Sequence, residues 1–143
     1  MNHRRFAFTL VELVVVILIL GILAGIAAPK LLNTSKTATD NGIRQTLSIV
    51  RDAIELYAAD QAALPPCANA TTSLQDALIP YIRGTFPASP VGAKNNQVTA
   101  TTTTPAAADG TPTTGWKYNT TTGEFICNSP ALSGDGATAY DKF

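Results

Sequence analysis

Phe8-Thr9-Leu10-Val11-Glu12-Leu13-Val14-Val15-Val16-Ile17-Leu18-Ile19-Leu20-Gly21-Ile22-Leu23-Ala24-Gly25-Ile26-Ala27-Ala28 is an apolar run with one ionisable side chain, Glu12. As a helix, its 21 residues span about 31 Å at ~1.5 Å per residue, close to the ~30 Å hydrocarbon thickness of a bilayer. A short basic head with Arg4 and Arg5 precedes it. Two readings compete. An ordinary secretory signal would use Leu13–Leu23 as its apolar region, be cut near Ala27 or Ala28, and release a soluble exported binding domain. A retained membrane helix accounts better for the length. It also demands a reason for Glu12, because a bare carboxylate in such a helix costs roughly 2.5–3.5 kcal/mol on insertion scales.

Outward from this stretch, composition narrows the function. The 143 residues suffice for one small domain, and the overall 45% hydrophobic and 14% charged content describes neither half of the chain. Residues 1–7 hold two of the ten basic side chains; without them eight basic face ten acidic ones, a charge of −2. That excludes a strongly basic nucleic-acid binder. His3 is the sole histidine and lies in the same leader, so the rest of the chain lacks a Ser-His-Asp or Cys-His arrangement and most metal-ligand sets. A membrane-anchored hydrolase is therefore remote, and no enzyme is expected.

Phe6-Ala7-Phe8-Thr9-Leu10-Val11-Glu12 resembles the processing motif of type IV prepilins and type II secretion pseudopilins. The resemblance implies a cut by prepilin peptidase at the Ala7–Phe8 bond and methylation of the new Phe8 amine. The family usually has Gly before the cut; Ala7 stands there in this chain. Glu12 would neutralise the Phe8 amine of a neighbouring subunit and set the assembly register, since a buried charge is tolerated mainly when paired. Gly21 and Gly25 form a G-x-x-x-G pair, with Ala24 and Ala28 beside it, that permits close helix approach in lipid. Pro29 removes a backbone donor and kinks a continuous helix unless neighbours compensate. By resemblance, the stretch from Gly21 to Pro29 unwinds in assembled filaments.

Beyond Pro29 the pattern becomes amphipathic. Ile43, Leu47, Val50, Ile54 and Tyr57 form one helical stripe, and Asp40/Arg44 and Arg51/Glu55 are spaced as i,i+4 charge pairs. Gly42 weakens the case for an unbroken helix. Leu64-Pro65-Pro66 stops it near residue 62, giving a helix of roughly 80 Å at ~1.5 Å per residue. Thr72-Ser73-Leu74-Gln75 reads as a capping box opening a short helix through Ile79, stopped by Pro80 and Gly84. Phe86-Pro87-Ala88-Ser89-Pro90 is a turn-rich connection. The Thr-rich segment 95–114 fits either a surface loop or an edge strand, and its composition favours the loop. Gly115–Asn119 and Glu124–Asn128 flank Thr120-Thr121-Thr122-Gly123 as a hairpin, with Trp116 and Tyr118 on one face as core aromatics.

The expected fold is α+β and pilin-like. Residues 1–7 are a leader, 8–28 a transmembrane and assembly helix, and 29–62 an amphipathic stem. Residues 63–143 form a head with a short helix and an antiparallel hairpin or sheet. Two cysteines in an exported segment, Cys67 and Cys127, suggest a disulfide; closing a loop of about 60 residues would contribute roughly 4 kcal/mol.

The head also resembles, more loosely, the major pseudopilins of type II secretion, through GWKYNTTTGEFICNS and PYIRGTFPASP. That resemblance implies a calcium loop near the C-terminus, for which Asp135 and Asp141 are the candidate ligands; calcium takes six to eight oxygens. No other cofactor is expected. It further implies a structural subunit of a bacterial type II secretion pseudopilus, single-pass in the inner membrane with its head in the periplasm or outside. Its partners would be copies of itself, other pseudopilins, prepilin peptidase, the inner-membrane assembly platform and the membrane. A type IV pilus subunit for adhesion, motility or DNA uptake shares the same N-terminal features.

Overall fold

The computed structural model describes residues 8–67 and 73–143. The elements follow as α1 (Leu10–Gln61), α2 (Ser73–Leu78), β1 (Val98–Thr101), β2 (Trp116–Asn119), β3 (Phe125–Cys127) and a 3-10 turn at Tyr140–Lys142. The class is α+β, as expected. Two compact units divide the chain, one ending at Ser35 and the other beginning at Lys36.

In the first unit α1 is exposed on every side, and its helical conformation runs through Pro29. Proline leaves the carbonyl four residues earlier, that of Gly25, without its usual donor. One turn later, Thr34 Oγ1 donates to the Lys30 carbonyl at 2.9 Å, a local bond of the kind that hydroxyl side chains make to the preceding turn.

In the second unit α1 passes Gly42 unbroken and buries Ile43, Leu47, Val50, Ala53 and Ile54. The stripe thus begins one residue after the glycine, and tertiary packing outweighs the ~1 kcal/mol propensity deficit. The helix ends at Gln61, and Ala62 takes a left-handed φ of 54°. That conformation costs a non-glycine residue about 1 kcal/mol; it turns the chain into Pro65 and Pro66. Leu74 and Leu78 of α2 are buried. Thr72, the expected cap, lies outside the described residues.

The hairpin forms as read. β2 and β3 pair antiparallel, with Trp116 opposite Cys127 and Tyr118 opposite Phe125. Asn119 Oδ1 accepts the Thr121 and Thr122 N–H groups in the turn. Gly123 is needed there on two counts: its φ is 78°, and an added Cβ would sit 2.9 Å from a Leu64 methyl.

The loop expected across 95–114 is corrected in its first part, because β1 pairs parallel with β2, Val98 opposite Trp116 and Thr101 opposite Asn119. Val98 faces the core while the Thr99 and Thr114 hydroxyls bond at 2.7 Å. β-branched side chains on a pleated surface thus prevail over the compositional bias toward loop. From 102 to 114 the chain is irregular but held. Ala106 N–H donates to Glu124, Ala108 N–H to Asp141 and Asp109 N–H to Asn128.

Trp116, Tyr118 and Phe125 centre the core against the α1 stripe. Trp116 stacks on Phe125 at 5.4 Å, and its indole N–H donates to the Pro87 carbonyl at 2.9 Å. The Tyr118 hydroxyl is buried without a hydrogen-bond partner, and burial pushes its pKa up to about 12.

The expected disulfide is not formed. Cys67 and Cys127 are both buried thiols in this core. The Cys127 Sγ lies 3.6 Å from the Ser89 hydroxyl and 3.9 Å from the Gly115 carbonyl. Burial pushes the Cys127 thiol pKa up, which keeps it protonated and unreactive. Apolar packing, rather than a covalent link, holds β3 beneath the helix.

The two i,i+4 charge pairs are also corrected. The ion pairs found among the described residues are Lys117–Asp109 at 2.6 Å and Lys142–Asp141 at 3.5 Å. The helix side chains instead hold the chain's last segment. Asp40 accepts the Tyr140 hydroxyl at 2.8 Å and the Gly134 N–H at 2.9 Å. Arg44 lies 3.7 Å over the Phe143 ring. Arg51 donates to the Phe125 carbonyl through Nε and Nη2, at 3.0 and 2.9 Å, and to the Phe143 carbonyl at 2.7 Å. Fixed donors to Asp40, a ring face for Arg44 and two carbonyls for Arg51 outcompete flexible surface pairs, which contribute only a few tenths of a kcal/mol each.

Candidate assembly site

The first turn of α1 is closed by a reciprocal capping box. The Glu12 N–H donates to Thr9 Oγ1 at 3.3 Å, while Glu12 Oε2 accepts the Thr9 N–H at 2.9 Å and the Thr9 O–H at 2.7 Å. The carboxylate also sits at the positive end of the helix dipole. Its expected role in register rests on the resemblance and on the cost of an unpaired buried charge; the Thr9-x-x-Glu12 spacing also makes it a cap. In the unprocessed chain, therefore, Glu12 already has donors from Thr9. Ala7 lies outside the described residues.

Further along, fourteen large apolar side chains between Phe8 and Ile26 are exposed. Gly21 and Gly25 face open space: beyond the helix's own local backbone, a Cβ added at either would meet no described atom within 4 Å. The helix is long and apolar enough to cross a membrane, and its apolar window is entirely unburied, unlike the core helix of a globular protein.

Asp135 and Asp141 serve the head's own loops. Asp135 Oδ1 accepts the Ser133 hydroxyl and the Ala137 and Thr138 N–H groups at 2.8 and 3.3 Å. These bonds hold its pKa below the usual carboxylate value. Asp141 Oδ2 accepts the Ala108 N–H at 3.2 Å. Among the described residues no three acidic, His or Cys side chains gather as a metal site. Two carboxylates so engaged do not fit a calcium cage of six to eight oxygens.

Residues 2–28 match the family model described as the prokaryotic N-terminal methylation motif. In that segment the chain is similar to type IV pilin-like proteins. Three curated relatives align with this chain. Competence protein ComGC of Halalkalibacterium halodurans is 32% identical over 63 residues, 44% of this chain and 62% of the relative. The type IV narrow pilus major component PilA5 of Thermus thermophilus is 34% identical over 64 residues, 45% of this chain and 55% of the relative. The type II secretion system core protein G of Klebsiella pneumoniae is 33% identical over 63 residues, 44% of this chain and 45% of the relative. The matches thus span about half the length of these relatives. No solved structure gives a significant match. The apolar helix and the motif together fit a membrane-anchored protein.

Proposed function

We propose that this chain is a structural subunit of a type II secretion pseudopilus. In this reading it is cut at the Ala7–Phe8 bond by prepilin peptidase, methylated at Phe8, and polymerised from the bacterial inner membrane with its head in the periplasm. The observation that carries the reading is the fully exposed apolar stem opening on Thr9 and Glu12. At about 2 kcal/mol per buried Leu, Ile or Val, its fourteen large side chains represent an upper bound on the order of 20–30 kcal/mol, gained in lipid or against other stems.

Cutting before Phe8 creates an ammonium group next to Thr9. The Glu12 carboxylate would then exchange its Thr9 donors for a neighbour's amine, which aligns each incoming subunit axially. The 33% identity to type II secretion core protein G and the compact head support the secretion role. The 34% identity to the narrow pilus component favours, as a second reading, a pilus subunit.

Mass spectrometry of the protein from its own cells is expected to find N-methyl-Phe8 at the mature N-terminus; a start near Ala28 would refute the assembly role. Glu12→Ala is expected to insert and be processed but to yield few filaments. Deleting the gene distinguishes the two readings: loss of exported proteins with surface pili intact supports secretion, and the reverse supports a pilus.

A further inference from the structure

Residues 131–143 fold on themselves and then onto α1. Leu132 bridges Ala139, and the chain reverses through Gly136, whose φ is 71°. Within this loop the Ser133 N–H donates to the Thr138 carbonyl at 2.8 Å, the Gly136 N–H to the Ser133 carbonyl at 2.9 Å and the Tyr140 N–H to the Ala131 carbonyl at 3.0 Å. The Lys142 N–H donates to the Ala139 carbonyl at 3.0 Å. A calcium loop turns carbonyls of this kind, together with carboxylates, toward the ion. This loop turns them onto its own N–H groups.

Both candidate carboxylates are met by fixed donors and a cation. Hydrogen bonds from Ser133, Ala137 and Thr138 hold Asp135 below the usual carboxylate pKa, and the charge of Arg44 adds to them. Asp141 accepts the Ala108 N–H and pairs with Lys142 at 3.5 Å. A divalent ion arriving at either would have to displace those donors against like charge.

The helix supplies the rest of the hold. Asp40 accepts the Gly134 N–H and the Tyr140 hydroxyl, Arg44 covers the Phe143 ring, and Arg51 donates to the Phe143 carbonyl. Gly134 lies so close that an added Cβ would stand 2.8 Å from Lys36 Cβ and 2.9 Å from an Asp40 carboxylate oxygen. Helical spacing puts Lys36, Asp40, Arg44 and Arg51 on one face, so the loop is fastened along several turns of α1.

We infer that the head is calcium-independent: a clasp of Asp40, Arg44 and Arg51 fixes residues 131–143 where the pseudopilin resemblance implies a bound calcium ion. The clasp joins parts of the head alone, so it serves a secretion filament and a pilus alike. Its consequence is a head that keeps its fold when external calcium is scarce.

The test uses the full chain, purified in detergent and stripped of metal with EGTA. Urea unfolding is followed by Trp116 fluorescence in about 10 mM magnesium with EGTA and in about 10 mM calcium, well above the ~10⁻⁴–10⁻³ M dissociation constants of extracellular calcium modules. The two midpoints are expected to coincide, and equilibrium dialysis to find no stoichiometric calcium. Asp40→Ala and Gly134→Ala are each expected to lower the midpoint by the same amount with either ion. Should Asp40→Ala not fold, Asp40→Asn, which keeps an acceptor for Tyr140, is read in its place. A midpoint that calcium raises above magnesium, a calcium ion bound per chain, or an Asp40 variant as stable as the parent would overturn the inference. Neither the Phe8 terminus nor export enters this measurement, so its failure leaves the assembly reading untouched.

Discussion

Replacing Arg51 by Met keeps the aliphatic stem of the side chain and removes the donors that tie α1 to β3 and to the final residue. The parent makes two N–H bonds to the Phe125 carbonyl and one to the Phe143 carbonyl. A hydrogen bond from a charged donor contributes about 1.5–3 kcal/mol net. Phe125 is fully buried, so its carbonyl is left unpaired at the outer edge of β3, whereas half-buried Phe143 recovers water. Arg51 is itself partly exposed, and burial lowers its pKa, so part of the gain is offset by desolvation. The net loss is about 2–3 kcal/mol, or roughly 8–20 °C in Tm for a unit of this size. Trp116, the sole tryptophan, stacks on Phe125 and gives a direct readout: urea unfolding of the detergent-solubilised full chain followed by its fluorescence. Arg51→Lys, which reaches one carbonyl at a time, should lose about half as much. An Arg51→Met midpoint equivalent to less than about 0.5 kcal/mol of destabilisation would refute the reasoning and reduce these bonds to surface contacts.

Gly115→Ala would place a Cβ 2.1 Å from the Asn95 carbonyl oxygen and 2.9 Å from Ser89 Cβ; it should cost about 3 kcal/mol or more, seen as loss of soluble or detergent-extractable folded protein. Acid should weaken the head: Asp109, held low by Lys117 and Asn128, and Asp135, held low by Ser133, Ala137 and Thr138, have folded pKa values below their ordinary ones. Their contribution is then full above pH ~4 and disappears as pH falls through the folded values; urea midpoints between pH 6 and 2 should show this, and Asp109→Asn should flatten the acid limb. Because both cysteines are thiols, adding a reductant should leave the urea midpoint unchanged, and a drop on reduction would contradict that assignment.

What could be read in advance was what local pattern encodes. The apolar run from Phe8, the Ile43–Ile54 stripe, the stop at Pro65-Pro66 and the turn at Gly123 each depend on residues within a few positions of one another. β1 escaped because parallel pairing joins Val98 to Trp116 through an intervening segment whose composition reads as loop. Asp40 and Arg51 were misassigned for a similar reason. Their neighbours at i+4 were in view, but the partners they take lie 100 and 92 residues away, at Tyr140 and Phe143. The cysteines illustrate the limit of inventory: two thiols in an exported segment suggest a bond, but packing decides whether one forms. At the assembly site an acid in hydrocarbon is conspicuous by its cost, while Thr9, the hydroxyl that holds it, carries no such signal of its own.

The crossover from β1 to β2 is made without a helix. It is tethered at Ala106, Ala108 and Asp109 by side chains from Glu124, Asp141 and Asn128. Parallel strands ordinarily require a long connection packed over the sheet, but here the return path is a surface strap pinned at intervals from below. Between Asp109 and Thr113 the strap is free to lengthen without shifting the register of Val98 on Trp116. Descendants of this chain could therefore vary the outer face of the head by insertion while the helix, the sheet and the polymerising end stay constant.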